Sequence, residues 1–303
     1  MARRFLKKRG NAKTLSGIAL MVSLLSMATN SFAEEVPSPV EHLNGITYGT
    51  GDGKPLLLDL ARPKAPAESP RPAVVFIHGG GWASADRSNG APIIRLLAEH
   101  GFVAVSIDYR LSGVAGYPAQ IEDSKCAVRF IRAHAKEYGV DPERIGVAGG
   151  SAGGHLAALV GLTPDEKSLE GNGGWEGTSS RVSAVADLYG VSDLPALVSD
   201  HHLTDGVTKL MRGSITDKPD LYRQASPLTW VKPGAPPFYL AHGDKDTTVP
   251  FSQSQRLADA LLAANVEVSL RVMTGFGHGS IGTLPDYVKS DVVVFFEKYL
   301  GKK

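Results

Sequence analysis

Apolar, β-branched runs alternate along this chain with stretches of helical periodicity, and that alternation restricts the fold more than any other feature. The runs cover residues 56–60, 73–77, 102–107, 145–148, 182–188, 237–241 and 266–273. Most are apolar at nearly every position and not only at every second one, the pattern of strands covered on both faces. Between them the sequence predicts helices over 91–100, 121–138, 155–161, 252–264 and 286–300. Ile121, Val128, Ile131 and Ala135 mark the apolar face of the second, and Asp141-Pro142 predicts a turn before the next strand. Alternation of this kind makes a three-layer α/β domain with a mostly parallel central sheet. A chain of 303 residues, 43% of them hydrophobic, has enough apolar surface to fill it. Two segments, 163–180 and 191–230, break the pattern and are expected to be loops that cover a site.

The N-terminus reads differently. Arg3, Arg4, Lys7, Lys8, Arg9 and Lys13 precede an apolar run over 15–28, and Ser31-Phe32-Ala33 places small residues two apart. This is the pattern of a secretory signal. Cleavage is expected after Ala33, giving a signal peptide over 1–33 and one domain over 34–303, exported to the periplasm or secreted. The apolar run is shorter than the roughly 20 residues that span a bilayer, so no stable membrane insertion is expected once the signal is removed. Without the signal, 26 basic residues face 31 acidic ones, a net charge of −5 that gives nucleic acid no basic face to bind. Cys126 is the only cysteine, which excludes an internal disulfide, and its place in a helical pattern predicts a small core residue.

Gly149-Gly150-Ser151-Ala152-Gly153-Gly154 lies between a predicted strand and a predicted helix. A nucleophilic serine has to project from a tight strand-to-helix turn, and glycines two residues to either side remove the Cβ atoms that would collide there. His78-Gly79-Gly80-Gly81-Trp82 follows the strand 73–77. Consecutive glycines leave backbone N–H groups unshielded, and the amides of Gly80, Gly81 and Ala152 are the expected donors to a tetrahedral oxyanion. A phosphate-binding loop is the rival reading, but Gly-Lys-Ser/Thr and the dinucleotide spacing are both missing.

A serine nucleophile needs a base, and the base a carboxylate, in the chain order Ser, acid, His. His278 follows the strand ending at Met273 and is the expected base. Asp193, Asp244 and Asp246 all satisfy the order for the acid. Asp246 is preferred, with Asp244 expected to hold its turn and His242 and His78 to be structural partners of theirs. Trp82 and Trp175 are candidate substrate contacts. Asp200, His201, His202 and Asp205 are potential metal ligands close in sequence, but adjacent histidines rarely face one ion and HExxH is absent, so neither metal nor cofactor is expected.

Together these motifs resemble the α/β-hydrolase superfamily, and more narrowly the bacterial feruloyl-esterase-like and acetyl-xylan-esterase-like group similar to hormone-sensitive-lipase-like esterases. Leu58-Asp59-Leu60, Asp108-Tyr109-Arg110, residues 117–123, Glu170-Gly171-Asn172-Gly173-Gly174 and the stretch from His242 to Pro250 carry the resemblance over nearly the whole chain after the signal. It implies an α/β-hydrolase fold and a serine carboxylesterase that acts through an acyl-enzyme; the short stretch from Glu34 to Ile46 departs from the long helical cap common in that group, so a minimal cap is expected. The implied substrate is a small-molecule or polysaccharide-borne ester with a short acyl, acetyl or feruloyl group. A peptidase or amidase of the prolyl-oligopeptidase kind is the alternative within the fold. A silent envelope protein that binds through the same scaffold is the alternative outside enzymes.

Overall fold

The computed structural model describes residues 39–301 except 165 and 201, so the expected signal peptide and its cleavage after Ala33 lie outside the described residues. In chain order the elements are β1 (Val40–Gly51), β2 (Lys54–Pro63), β3 (Arg71–Ile77), α1 (Ala91–Glu99), β4 (Val103–Ile107), α2 (Ala119–Ala133), α3 (Ala135–Tyr138), β5 (Val140–Gly150), α4 (Ala152–Leu162), β6 (Ala184–Leu188), α5 (Leu194–Ser199), α6 (Thr204–Met211), α7 (Pro219–Gln224), β7 (Phe238–Gly243), α8 (Ser252–Ala263), β8 (Val268–Met273) and α9 (Asp286–Leu300). The strands form one sheet in the order β1-β2-β4-β3-β5-β6-β7-β8. β2 runs antiparallel to β1 and β4, and every other pairing is parallel. Among the described residues no helix is long and apolar enough to cross a membrane.

Alternate side chains of each central strand enter two cores. Val75, Ile77, Val105 and Val147 pack on the side of α2, α4 and α8, whereas Val74, Phe76, Ala104 and Ala148 pack on the side of α1 and α9. Both faces are therefore dry, as apolar runs without alternation require. The register then fixes the site. Ile77 at the end of β3 pairs with Gly149, Gly150 with Leu188, and Gly243 with Met273, so the loops after β3, β5, β7 and β8 leave one edge of the sheet side by side.

Three features differ from the sequence reading. β1 was not among the expected strands, because this edge element buries few side chains and two register shifts disturb its alternation. Asp141-Pro142 is a bulge at the start of β5 and not a turn before it, with a register shift between Arg71 and Ala73. Residues 191–230 contain three short helices, α5 to α7, where an irregular loop was expected.

The other expected loop, 163–180, is tied to α2 and β1. Glu170 accepts from the buried Lys125 Nζ (2.9 Å), Arg129 Nη1 (2.7 Å) and Ser180 Oγ (2.7 Å). The Gly173 carbonyl accepts from the Thr50 N–H of β1 (2.9 Å). Lys125 has a fully buried side chain and no other carboxylate partner, only the Thr163 carbonyl. Removing one member of a buried pair leaves an uncompensated charge, at a cost of about 3 kcal/mol. Glu170→Ala should therefore lower the unfolding free energy in urea by about that amount, and an unchanged midpoint and slope would show the network to be dispensable.

Candidate active site

β5 runs directly into the turn that carries Ser151, whose φ of 56° and ψ of −121° lie where an L side chain is strained. The turn is held by a bond from the Ser151 N–H to the Leu188 carbonyl (2.9 Å) and one from the His155 N–H to the Ser151 carbonyl (3.0 Å). A Cβ on Gly153 would strike the Ile77 and His78 carbonyl oxygens at the end of β3, and one on Gly149 would strike the Gly153 carbonyl. Gly153 is thus required by the close crossing of α4 over β3, and Gly149 by the tight turn from β5 into α4.

His278, in the loop after β8, places Nε2 3.0 Å from Ser151 Oγ and Nδ1 2.6 Å from Asp246 Oδ2. The carboxylate fixes the tautomer: Nδ1 donates to it, and Nε2 is left to accept from the serine hydroxyl. Asp246 Oδ1 accepts the N–H groups of Thr248 and Val249, each at 2.9 Å. His242 Nε2 approaches Oδ2 at 3.3 Å while bonding the Val249 carbonyl at 2.8 Å, with Ser254 Oγ 2.7 Å from its Nδ1. Burial alone would raise the Asp246 pKa, but the donors on both oxygens win and hold it well below the usual carboxylate range. The other two candidate acids are committed elsewhere. Asp244 Oδ1 accepts the Gly275 N–H (2.7 Å), joining the two loops, and Asp193 caps α5 and pairs with Arg256 (2.8 Å).

Facing Ser151, the Gly80 carbonyl accepts from the N–H groups of Ala83 (3.0 Å) and Ser84 (3.1 Å), which winds the glycine loop into a turn. Gly80 and Gly81 have φ values of 101° and 58°, conformations suited to glycine. Among the described residues the amides of Gly80, Gly81 and Ala152 have no acceptor. They are free to bind an anion beside the serine.

Neither tryptophan lines the cleft that holds Ser151. Trp82 is fully buried beneath the glycine loop, its Nε1–H donating to His155 Nδ1 (3.1 Å). Trp175 lies on the flank of α2, donating to the Tyr48 carbonyl (2.6 Å) and packing edge-on against Phe130 and His134. The cleft, about 360 Å³, is walled instead by His78, Ala85, Tyr189, Leu203, Thr248 and Ile281, among others. Segment 191–230 supplies Leu203 to this wall, and segment 163–180 supplies nothing. Tyr189 sets its ring edge-on to His278 with centroids 5.3 Å apart. Asp59 and Asp108 grip Arg87 at 2.9 and 2.8 Å and so fix the turn that carries Ala85. Sequence reasoning passed over these wall residues because isolated apolar side chains in loops carry no pattern.

Among the described residues no cluster of three or more His, Cys, Asp or Glu is placed to hold a metal. His201 lies outside the described residues, and His202 Nδ1 is 3.0 Å from the Thr247 carbonyl. Burial raises the Cys126 thiol to about 11, the behaviour of an inert core residue.

A serine after β5, an aspartate after β7 and a histidine after β8, bonded in series, occur here on a sheet whose parallel strands are crossed by helices on both faces, which is the α/β-hydrolase arrangement. Residues 58–261 match the BD-FAE family model, and the chain belongs to that family. Esterase LipQ of Mycobacterium tuberculosis is 37% identical over 220 residues, 71% of this chain and 52% of the relative. Esterase LipC of the same organism is 34% identical over 243 residues, 78% of this chain and 60% of the relative. The chain thus spans little more than half the length of these relatives. A truncated carbohydrate esterase from gut microbiota superposes with a TM-score of 0.79 at 28% identity, covering 88% of this chain and 99% of that one. The propionate-bound esterase Est2 of Thermogutta terrifontis superposes with a TM-score of 0.72 at 29% identity, covering 88% and 96%.

Two buried ionisable groups beneath the site titrate in opposite senses. His155 accepts from Trp82 at Nδ1, so its proton sits on Nε2 and is donated to the Ala225 carbonyl (2.7 Å), and burial lowers its pKa to about 4. Burial raises Asp187 to about 7, with Oδ1 bonded to the Gly190 N–H (2.9 Å) and Oδ2 unpartnered. For His155 the unfolded ring protonates near pH 6.5 and the folded ring only near pH 4, so stability is lost as pH falls through that window. Asp187 acts the other way, which makes a variant comparison necessary. Between pH 7 and 4.5, His155→Gln should lose roughly 2–3 kcal/mol less unfolding free energy than the wild type. Equal losses would mean that the imidazole is not held neutral by the fold.

Proposed function

We propose that this protein is a serine carboxylesterase that hydrolyses short acyl esters, acetyl or feruloyl groups on carbohydrates foremost, through an acyl-enzyme. The observation that carries the reading is the unbroken chain from Asp246 through His278 to Ser151 Oγ, at 2.6 and 3.0 Å. Support for an ester substrate comes from the names of the relatives, and support for a carbohydrate alcohol from the carbohydrate esterase whose fold this chain shares. The basic and then apolar N-terminal sequence supports export to the periplasm or beyond.

In this mechanism Ser151 Oγ bonds to the ester carbonyl carbon as its proton passes to His278 Nε2. The carbonyl oxygen gains the electron pair and is met by the amides of Gly80, Gly81 and Ala152. Asp246 stays ionised beside the imidazolium because its donors keep its own proton affinity low. Collapse of the intermediate breaks the bond to the alcohol oxygen, which takes the proton from Nε2. Water then attacks the acyl-enzyme, with His278 accepting its proton and returning it to Ser151 Oγ as the carboxylic acid departs.

Ser151→Ala should lower kcat for p-nitrophenyl acetate by roughly 10⁵- to 10⁶-fold and abolish labelling by a fluorophosphonate, with an unchanged urea midpoint. Undiminished turnover by that variant would refute the nucleophile. Asp246→Asn turns an amide N–H or an uncharged oxygen toward His278 and disturbs its tautomer, so kcat should fall by about 10⁴-fold. A loss under tenfold would mean that another carboxylate serves the histidine.

A further inference from the structure

Beside the ester cleft lies a second cavity of about 210 Å³, between α1 and the start of α9. Pro92, Ile93 and Leu96 give it an apolar wall, and Arg95, Glu99 and Lys289 complete its lining. Among the described residues Ile281 is the one that lines both this cavity and the cleft holding Ser151. It is half-buried and packs against the core cluster that includes α1 and α9. The short 3₁₀ turn that carries it, Ile281–Thr283, is closed by its own bonds: the Ser280 N–H donates to Thr283 Oγ1 (2.9 Å) and the Thr283 N–H to the Ser280 carbonyl (3.0 Å). The side chain at 281 is therefore not needed to form the turn.

The two arms of an ester make different demands on such a place. A sugar alcohol would lose its hydration against the apolar wall of Pro92, Ile93 and Leu96, and a polymer must continue into solvent. An acyl chain has neither difficulty. We propose, on the basis of the esterase reading, that Ile281 determines acyl length. The side chain ends the acyl arm after a short group, and the apolar cavity beyond it is a second acyl subsite that a smaller residue at 281 opens.

The test compares p-nitrophenyl esters from acetate to octanoate on the full chain with alkyl acetates of the same lengths. For the wild type, kcat/KM should stop rising once the acyl chain passes about four carbons, because burial gained per methylene then stops. Ile281→Ala should gain about fourfold per CH₂ carried into the second cavity, raising the hexanoate-to-acetate ratio at least tenfold. Adding Leu96→Trp, which fills that cavity from α1, should reverse the gain. An unmoved ratio in Ile281→Ala with a native urea midpoint would overturn the inference. So would a gain that survives Leu96→Trp, or one confined to the alkyl acetates. No turnover of any ester by the wild type would sink the esterase reading and this inference with it, whereas turnover with an unmoved ratio sinks this inference alone.

Discussion

The first turn of α4 lies against the end of β3 with no room for a side chain between them, and most of the site follows from that contact. Gly153 touches the carbonyls of Ile77 and His78, and Gly79 lies so close to Gly150 that a Cβ there would meet its carbonyl and the Ser151 side chain. Two backbones held at this separation put the glycine loop and the serine turn on one cleft before any side chain is chosen. The pairing of Ile77 with Gly149 adds a register that cannot slip without moving every core residue of β3 to the wrong face. Position is set by packing, and chemistry is added to it.

Charge beneath the site is handled by saturation in one place and neutralisation in others. Asp246 is kept ionised by donors on both oxygens, two amides on one and two imidazoles on the other. His155 and Asp187 are driven toward their neutral forms by burial. The carboxylate that bonds His278 is thus the one surrounded by donors, whereas burial disfavours charge on His155 and Asp187. His242 belongs to this arrangement in a way its motif did not disclose, since it approaches Asp246 as well as holding its own turn.

Seven strands and five helices were legible in the sequence because each is a continuous or periodic apolar run, and the meeting of Ser151, His278 and Asp246 because each of these residues follows a strand that ends on the same edge of the sheet. β1 was not, since an edge strand shows its pattern on one face and its bulges disturb that. The short helices α5 to α7 fall in a segment rich in Asp and Pro, and tertiary packing of Leu194, Leu197, Val207, Leu210 and Tyr222 holds them. For Trp82 and Trp175 the sequence left two readings open, because a large aromatic near a glycine loop looks alike whether it lies under the loop or beside it. In the fold neither lines the cleft that holds Ser151, and each indole N–H is given to a partner within the protein. The cleft wall had no sequence signature: Ala85, Leu203 and Ile281 come from three separate connections.

The bond between Trp82 and His155 joins the residue after Gly81 with one a single helical turn beyond Ser151. The opposite nitrogen of the same imidazole reaches the Ala225 carbonyl, just past α7. One buried ring thereby couples the glycine loop, α4 and the segment 191–230 into a single mechanical unit. Thermal fluctuations that carry the covering segment outward must pull on this joint, so the spacing between amides and hydroxyl is insulated only as far as the ring keeps both of its bonds.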